Sequence, residues 1–179
     1  MIDKIKEYDS SFTEATFYTK ADHIFIMVLS AIMERDMSTV KHYLSDELYE
    51  KYDELVKEYE HDGMIRLFDE MNVKSTDIVG SYVDDNGINV EVNLVSRYMD
   101  YFITDDGDFI RGVNDHRIEL SHKLIFTKKL DTKELGEVRR CPGCGHSLDI
   151  NATGVCPFCN QTIDMSQYDY ILTSIDNLD

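Results

Sequence analysis

Apolar residues recur at three- and four-residue intervals in the first third of the chain and at two-residue intervals in the middle third. Tyr18, Ala21, Phe25, Val28, Leu29 and Ile32 fall on one face of a helix, the spacing that 3.6 residues per turn requires. Ser11-Phe12-Thr13-Glu14 precedes them and reads as a capping box, in which Ser and Glu side chains satisfy the first helical amides reciprocally. A first helix is therefore predicted from about Phe12 to Met33. Arg35-Asp36 ends it, and a short second helix carries Val40 and Leu44. Ser45 or Asp46 caps a third helix with Leu48, Tyr52, Leu55, Val56 and Tyr59 on one face. His61-Asp62-Gly63 interrupts the pattern, and Met64, Leu67, Phe68 and Met71 predict a fourth, short helix.

From Val73 the period is two. Asp77–Asp84 reads as a strand. Asn86-Gly87 is a strong hairpin signal because both positions tolerate positive φ. Ile88, Val90, Val92 and Leu94 then alternate with polar residues. The alternation blurs at Val95-Ser96, where a bulge would bend a long strand, and Tyr98, Met99, Tyr101, Phe102 and Ile103 continue it. Asp105-Asp106-Gly107-Asp108 is a turn without the ligand spacing of a calcium loop. A further strand runs from about Arg117 to Lys128, and Tyr168 to Ile175 forms a last one. Helices followed by an antiparallel meander give an α+β fold, with N-terminal helices packed on a curved antiparallel sheet.

Charge narrows the function. Eighteen Lys+Arg stand against 35 Asp+Glu, a formal charge of -17 over 179 residues. Such a surface repels phosphate backbones and anionic bilayers, so nucleic acid is not an expected partner. A hydrophobic content of 42% is enough to build a core. The N-terminus shows no signal-peptide pattern, and the longest apolar run, Ile24 to Leu29, cannot span a bilayer. The chain reads as cytoplasmic, at most peripheral to the inner face of a membrane through a separate anchor. Asn151-Ala152-Thr153 matches a glycosylation sequon, but has no meaning in that compartment.

All four cysteines lie between residues 141 and 159. Cys141-Pro-Gly-Cys144-Gly145 and Cys156-Pro-Phe-Cys159-Asn160 are two copies of one device. Each pair of thiolates can bite one metal ion. The residue after the second cysteine must allow a left-handed backbone, which Gly does freely and Asn next best. Asn151 and Gly154 suit a tight hairpin between the knuckles. Two knuckles around a hairpin make a zinc ribbon, with Cys141, Cys144, Cys156 and Cys159 as ligands of one structural zinc. Iron can occupy the same four sulfurs, and His146 can replace a cysteine. The site is closed, so it is expected to contribute folding energy rather than catalysis. Residues 141–179 contain no Lys or Arg. Lys128, Lys129, Lys133, Arg139 and Arg140 precede them, interleaved with Asp131, Glu134 and Glu137, and read as a solvated linker.

The helices, the meander and the ribbon with its terminal strand together resemble the Tim-forty-four-like domain, named for the tether of the mitochondrial import motor and similar to the cone-shaped fold of nuclear transport factor two. Cys141-Pro-Gly-Cys144-Gly145 followed by Tyr168 to Ile175 resembles the arrangement in some bacterial relatives. Asn160 departs from the usual Gly of the second knuckle, and no transmembrane helix precedes the domain. The resemblance implies that residues 1–130 and 165–179 form the main domain. Residues 131–164 would then be a zinc-ribbon insertion before the last strand. It also implies a non-enzymatic binding or scaffold module with an unknown protein partner; no small-molecule ligand is assigned. The alternative is a small-molecule-binding or acid-base enzyme that uses the concave pocket, with His122, Asp100 and Tyr98 converging there. A pocket filled by its own aromatic side chains would leave binding to the outer face.

Overall fold

The computed structural model describes residues 2–130, 141, 143–147, 155–163, 165 and 168–178. The basic linker at Lys133, Arg139 and Arg140, the expected hairpin turn at Asn151 and Gly154, and much of the proposed 131–164 insertion lie outside them. Helices come first: α1 (Ile2–Tyr8), α2 (Glu14–Met33), a 3-10 helix (Met37–Tyr43) and α3 (Asp46–His61). Among the described residues four strands follow: β1 (Met64–Asp84), β2 (Gly87–Thr104), β3 (Phe109–Lys128) and β4 (Ile171–Ile175). They form one curved, open, antiparallel sheet in the order β1-β2-β3-β4. The fold is α+β, and the cysteines lie after β3 and before β4.

The α2 stripe is as predicted, with Phe17, Ala21, Ile24, Phe25, Val28, Leu29 and Ile32 all buried. Its cap is not the expected box. Thr13 is the N-cap and accepts from the Thr16 amide at 3.4 Å, while the Ser11 hydroxyl donates to Asp9 at 2.6 Å. The Asp9 carboxylate also takes Lys128 at 2.9 Å, so Ser11 serves the link from the end of α1 to β3. The second helix is 3-10, which places Met37 and Val40, three residues apart, on one buried side. Ser45 caps α3 as expected, accepting from the Leu48 amide at 3.2 Å.

The fourth helix does not exist, because Met64 to Met71 begin β1. Arg66 and Phe68 face the helices, opposite Phe102 and Asp100, while Ile65 and Leu67 lie on the other side opposite Ile103 and Tyr101. Apolar residues on both faces of this strand imitate a helical stripe, and long-range pairing with β2 overrides the local pattern. The bulge expected at Val95-Ser96 is at that level of the sheet but on the other strand. Val73 pairs Ser96 and Ser75 pairs Val95, so Lys74 is the extra residue. Further slips between Asp69 and Asn72 and between Ile78 and Gly80 bend β1 again. The first hairpin turns on Asp85-Asn86 rather than Asn86-Gly87. Asp84 pairs with Gly87, and only Gly87 takes a positive φ, at 136°. The Asp84 carboxylate accepts from the Asn86 amide at 2.9 Å and supplies the turn geometry. β3 starts at Phe109, earlier than expected.

Helix α2 runs antiparallel to β1 and guards its open edge. Met33 Sδ accepts from the Phe68 amide at 3.1 Å, and Asp22 bonds the Thr76 hydroxyl. At the opposite side, β4 fits between β3 and the start of α3. It pairs with Leu124 to Thr127, and the Leu172 carbonyl accepts from the Ser45 amide at 2.9 Å. Beyond β4 the chain crosses the inner face, where Leu178 is fully buried and its carbonyl accepts from Arg66 Nη1 at 2.7 Å.

Tyr170, Leu172, Ile175 and Leu178 all belong to the main core. At ~1.5–3 kcal/mol per buried large apolar side chain, their loss removes about 6–12 kcal/mol, comparable to the whole stability of a domain. Deleting residues after Gln167 is therefore expected to abolish the cooperative thermal transition of the main domain. A truncated chain with an unchanged melting curve would refute this.

Candidate metal centre and the concave face

The four cysteine sulfurs come together. All lie within 4.8 Å of one another, with Cys141 and Cys159 Sγ 3.5 Å apart and Cys144 and Cys156 Sγ 3.7 Å apart. Four sulfurs around one ion with metal–sulfur bonds of 2.3 Å span tetrahedral edges of about 3.8 Å. The donor set fits such an ion, and the spacing is far beyond a disulfide bond of roughly 2 Å. Cys141 and Cys156 are buried; Cys144 and Cys159 are exposed.

The local backbone builds the two halves alike. In the first, the Gly145 amide donates to the Cys141 carbonyl at 2.9 Å and the Cys141 amide to the His146 carbonyl at 2.8 Å. In the second, the Asn160 amide donates to Cys156 at 2.9 Å and the Cys156 amide to Gln161 at 2.9 Å. Gly145 and Asn160 both adopt positive φ, 75° and 56°, so Asn160 fills the role usually given to Gly. The Cys144 and Gly143 amides pull the Cys141 thiol down to about 6. The Gln161 amide favours ionisation of Cys159 too, yet local loss of water around the sulfur and the crowding of the other thiols push that group up to about 12. Four sulfurs this close repel as thiolates, and a bound cation relieves that repulsion. The centre can hold a metal ion. After it in the chain comes a small apolar cluster of Ile163, Met165, Tyr168 and Ile171. A groove of about 1170 Å³ runs between this segment and the sheet, lined by Leu44, Asp84, Asn86, Ile163 and Thr173 among others.

On the concave face, His122, Tyr98 and Asp100 share the side of the sheet predicted for them; the Tyr98 hydroxyl comes within 3.4 Å of His122 Nε2, whereas Asp100 is turned to another partner. His122 is wholly buried. Its Nδ1 donates to the Asp176 carbonyl at 3.0 Å, and its Nε2 accepts from the Ser96 hydroxyl at 3.0 Å. Phe25 packs against the ring at 4.8 Å, and Tyr98 stacks at 6.4 Å. Asp100 does not face His122 as an acid. Both its oxygens are held by Arg66, through Nε at 3.0 Å and Nη2 at 2.9 Å. Burial raises the Tyr98 hydroxyl to about 12, with the Asp100 charge assisting. Arg66 also lies over the Phe68 and Phe102 rings at 4.8 and 5.6 Å. Sequence reasoning missed Arg66. The available signal was a single cation inside the apolar run Ile65-Arg66-Leu67-Phe68, which a strand reading would have put on the inner face.

Burial holds the His122 pKa below its ordinary value, outweighing the hydrogen bond to Asp176. The unfolded chain protonates first as pH falls, so this contribution is complete above about pH 6.5 and is lost progressively below it. Thermal unfolding of wild type and His122→Gln between pH 7.5 and 5 tests the point. The variant is expected to be about 1–3 kcal/mol less stable at pH 7.5, with the difference shrinking as pH falls. A difference independent of pH would refute the assignment. His42 is shifted the same way by burial, but is common to both chains.

No helix among the described residues is long and apolar enough to cross a membrane. No curated protein matches the chain. The family model of the Tim44-like domain matches residues 1–137, from α1 through all of β3. Tim44-like domains are associated with protein interactions and are not known as enzymes. With three quarters of its length inside that match, and helices on a curved antiparallel sheet as its fold, the chain belongs to the Tim44-like domain family.

Proposed function

We propose that this protein is a non-enzymatic interaction or scaffold module. In this reading, residues 1–130 and 165–179 form the Tim44-like domain, and residues 131–164 are a ribbon held by one structural zinc. The observation that carries the reading is the filling of the concave face. Phe25, Phe68, Leu94, Tyr98 and His122 occupy it, each at most 1% exposed. A pocket packed with its own side chains leaves recognition to outer surfaces. The alternative, acid-base chemistry by His122, Asp100 and Tyr98, requires Asp100 to leave Arg66. That would strand a buried guanidinium at a cost of about 3–5 kcal/mol.

Zinc is the metal of choice for four thiolates at tetrahedral spacing, and a four-sulfur shell leaves no position for water. Zn²⁺ with four thiolates adds two negative charges to the ribbon, which directs it toward basic proteins and away from nucleic acid.

Two measurements test these statements. Metal analysis of the purified chain is expected to give one equivalent of zinc, falling below about half an equivalent in Cys144→Ser. Retention of one equivalent by the variant would exclude the four-cysteine site. Affinity capture with the zinc-loaded chain is expected to retain a protein partner that elutes with rising salt. Retention of the chain on DNA or heparin at low salt, with no protein captured, would overturn the interaction reading.

A further inference from the structure

The two knuckles are alike in backbone but not in what they present. Each is followed by a residue that reaches over the other. Gln161, after the second knuckle, lies over Gly143 of the first, where an added Cβ would come within 1.8 Å of its Oε1. His146, after the first, lies over Phe158 of the second, the rings stacked with centroids 4.2 Å apart and planes 18° apart. Gly143 and Phe158 are equivalent positions in Cys-Pro-X-Cys. One side is closed by a flexible amide, whereas the other displays an aromatic pair.

The knuckle does not require that ring. The two backbone hydrogen bonds that shape the second knuckle do not involve the Phe158 side chain, and Gly143 shows that the same geometry forms without a side chain at the position. Phe158 is 62% exposed, the most open large apolar side chain among the described residues. His146 is exposed as well. An exposed Phe leaves unused most of the ~1.5–3 kcal/mol its burial would supply. The ring is therefore accessible to a group from outside the chain.

Charge defines that occupant. Residues 141–179 carry five Asp and no Lys or Arg, and the same segment brings four cysteine sulfurs together. A planar, weakly hydrated cation suits an aromatic face in negative surroundings better than an ammonium ion does. We propose that the Phe158–His146 stack is the seat of an arginine side chain from a basic protein partner, with the guanidinium lying flat on Phe158. This rests on the reading of the chain as a protein-interaction module and names the chemistry of the partner. Phosphate would be repelled from this face, which disfavours stacking of a nucleic-acid base.

Fluorescence anisotropy with the full zinc-loaded chain tests the proposal. The probes are labelled peptides of repeated Arg-Gly-Ser, Lys-Gly-Ser and Glu-Gly-Ser, a poly-uridine oligonucleotide, and anionic phospholipid vesicles. The arginine peptide is expected to bind best and to weaken with salt. Phe158→Ala is expected to weaken it about tenfold and to reduce the lysine peptide less, with metal content and melting temperature unchanged. Phe158→Tyr is expected to restore binding. Equal binding of the arginine peptide to wild type and Phe158→Ala would overturn the seat, as would failure of wild type to bind it. Stronger binding of the oligonucleotide or the vesicles would also overturn it, in favour of that partner class. Affinity capture that still succeeds with Phe158→Ala would leave the interaction reading standing without this face.

Discussion

The fold depends on filling one short stretch of sheet edge, Leu124 to Thr127 on β3. Its inner side chains, Leu124 and Phe126, are already in the core, so its backbone groups cannot be left unpaired without cost. The strand that pairs them arrives only at Ile171. Once in place it meets helix as well as sheet, because Leu172 bonds Ser45 at the cap of α3. One five-residue strand thus joins the end of the meander to the helical layer. The segment beyond it then reaches Arg66 and His122 on the inner face.

That inner face explains why polar groups sit in a core. Arg66, Asp100, His122 and Ser96 form pairs whose charges or lone pairs are all engaged, as burial requires. The pairs hold the sheet and the terminal segment in register. The same satisfaction that makes them structural leaves none of them poised toward a vacant pocket. The exposed aromatic pair on the ribbon has the opposite character: it serves no neighbour within the described residues beyond its own stack.

Much of this was legible from spacing alone. The α2 and α3 stripes, Ser45 as a cap, the period-two run of β2, and the assignment of His122, Tyr98 and Asp100 to one face all follow from local periodicity. So does the pairing of the knuckles, since left-handed Gly145 and Asn160 have few other uses after Cys-Pro-X-Cys. Misreadings arose where local and distant demands differ. Met64 to Met71 carries apolar residues on both faces of a strand and so resembles a helix. Ser11 was free to cap α2 but is held by Asp9, whose own partner, Lys128, lies far along the chain. The bulge was sensed in β2 but resides in β1, because a blurred alternation does not say which strand holds the extra residue. The overlap of His146 with Phe158 depends on how two knuckles face each other, and no single-chain period encodes that.

The separation of β4 from β3 has a consequence in chain entropy. Bringing Ile171 back to Lys128 closes a loop of roughly forty residues, and the cost of closure grows with the logarithm of loop length. A metal ion that ties Cys141 to Cys159 removes the intervening residues from that loop and leaves roughly half of it free. The saving is about 0.5 kcal/mol, small beside the energy of the metal site but delivered to a different part of the molecule. Metal occupancy in the ribbon would thereby be felt as a higher effective concentration of the last strand at the edge of the sheet.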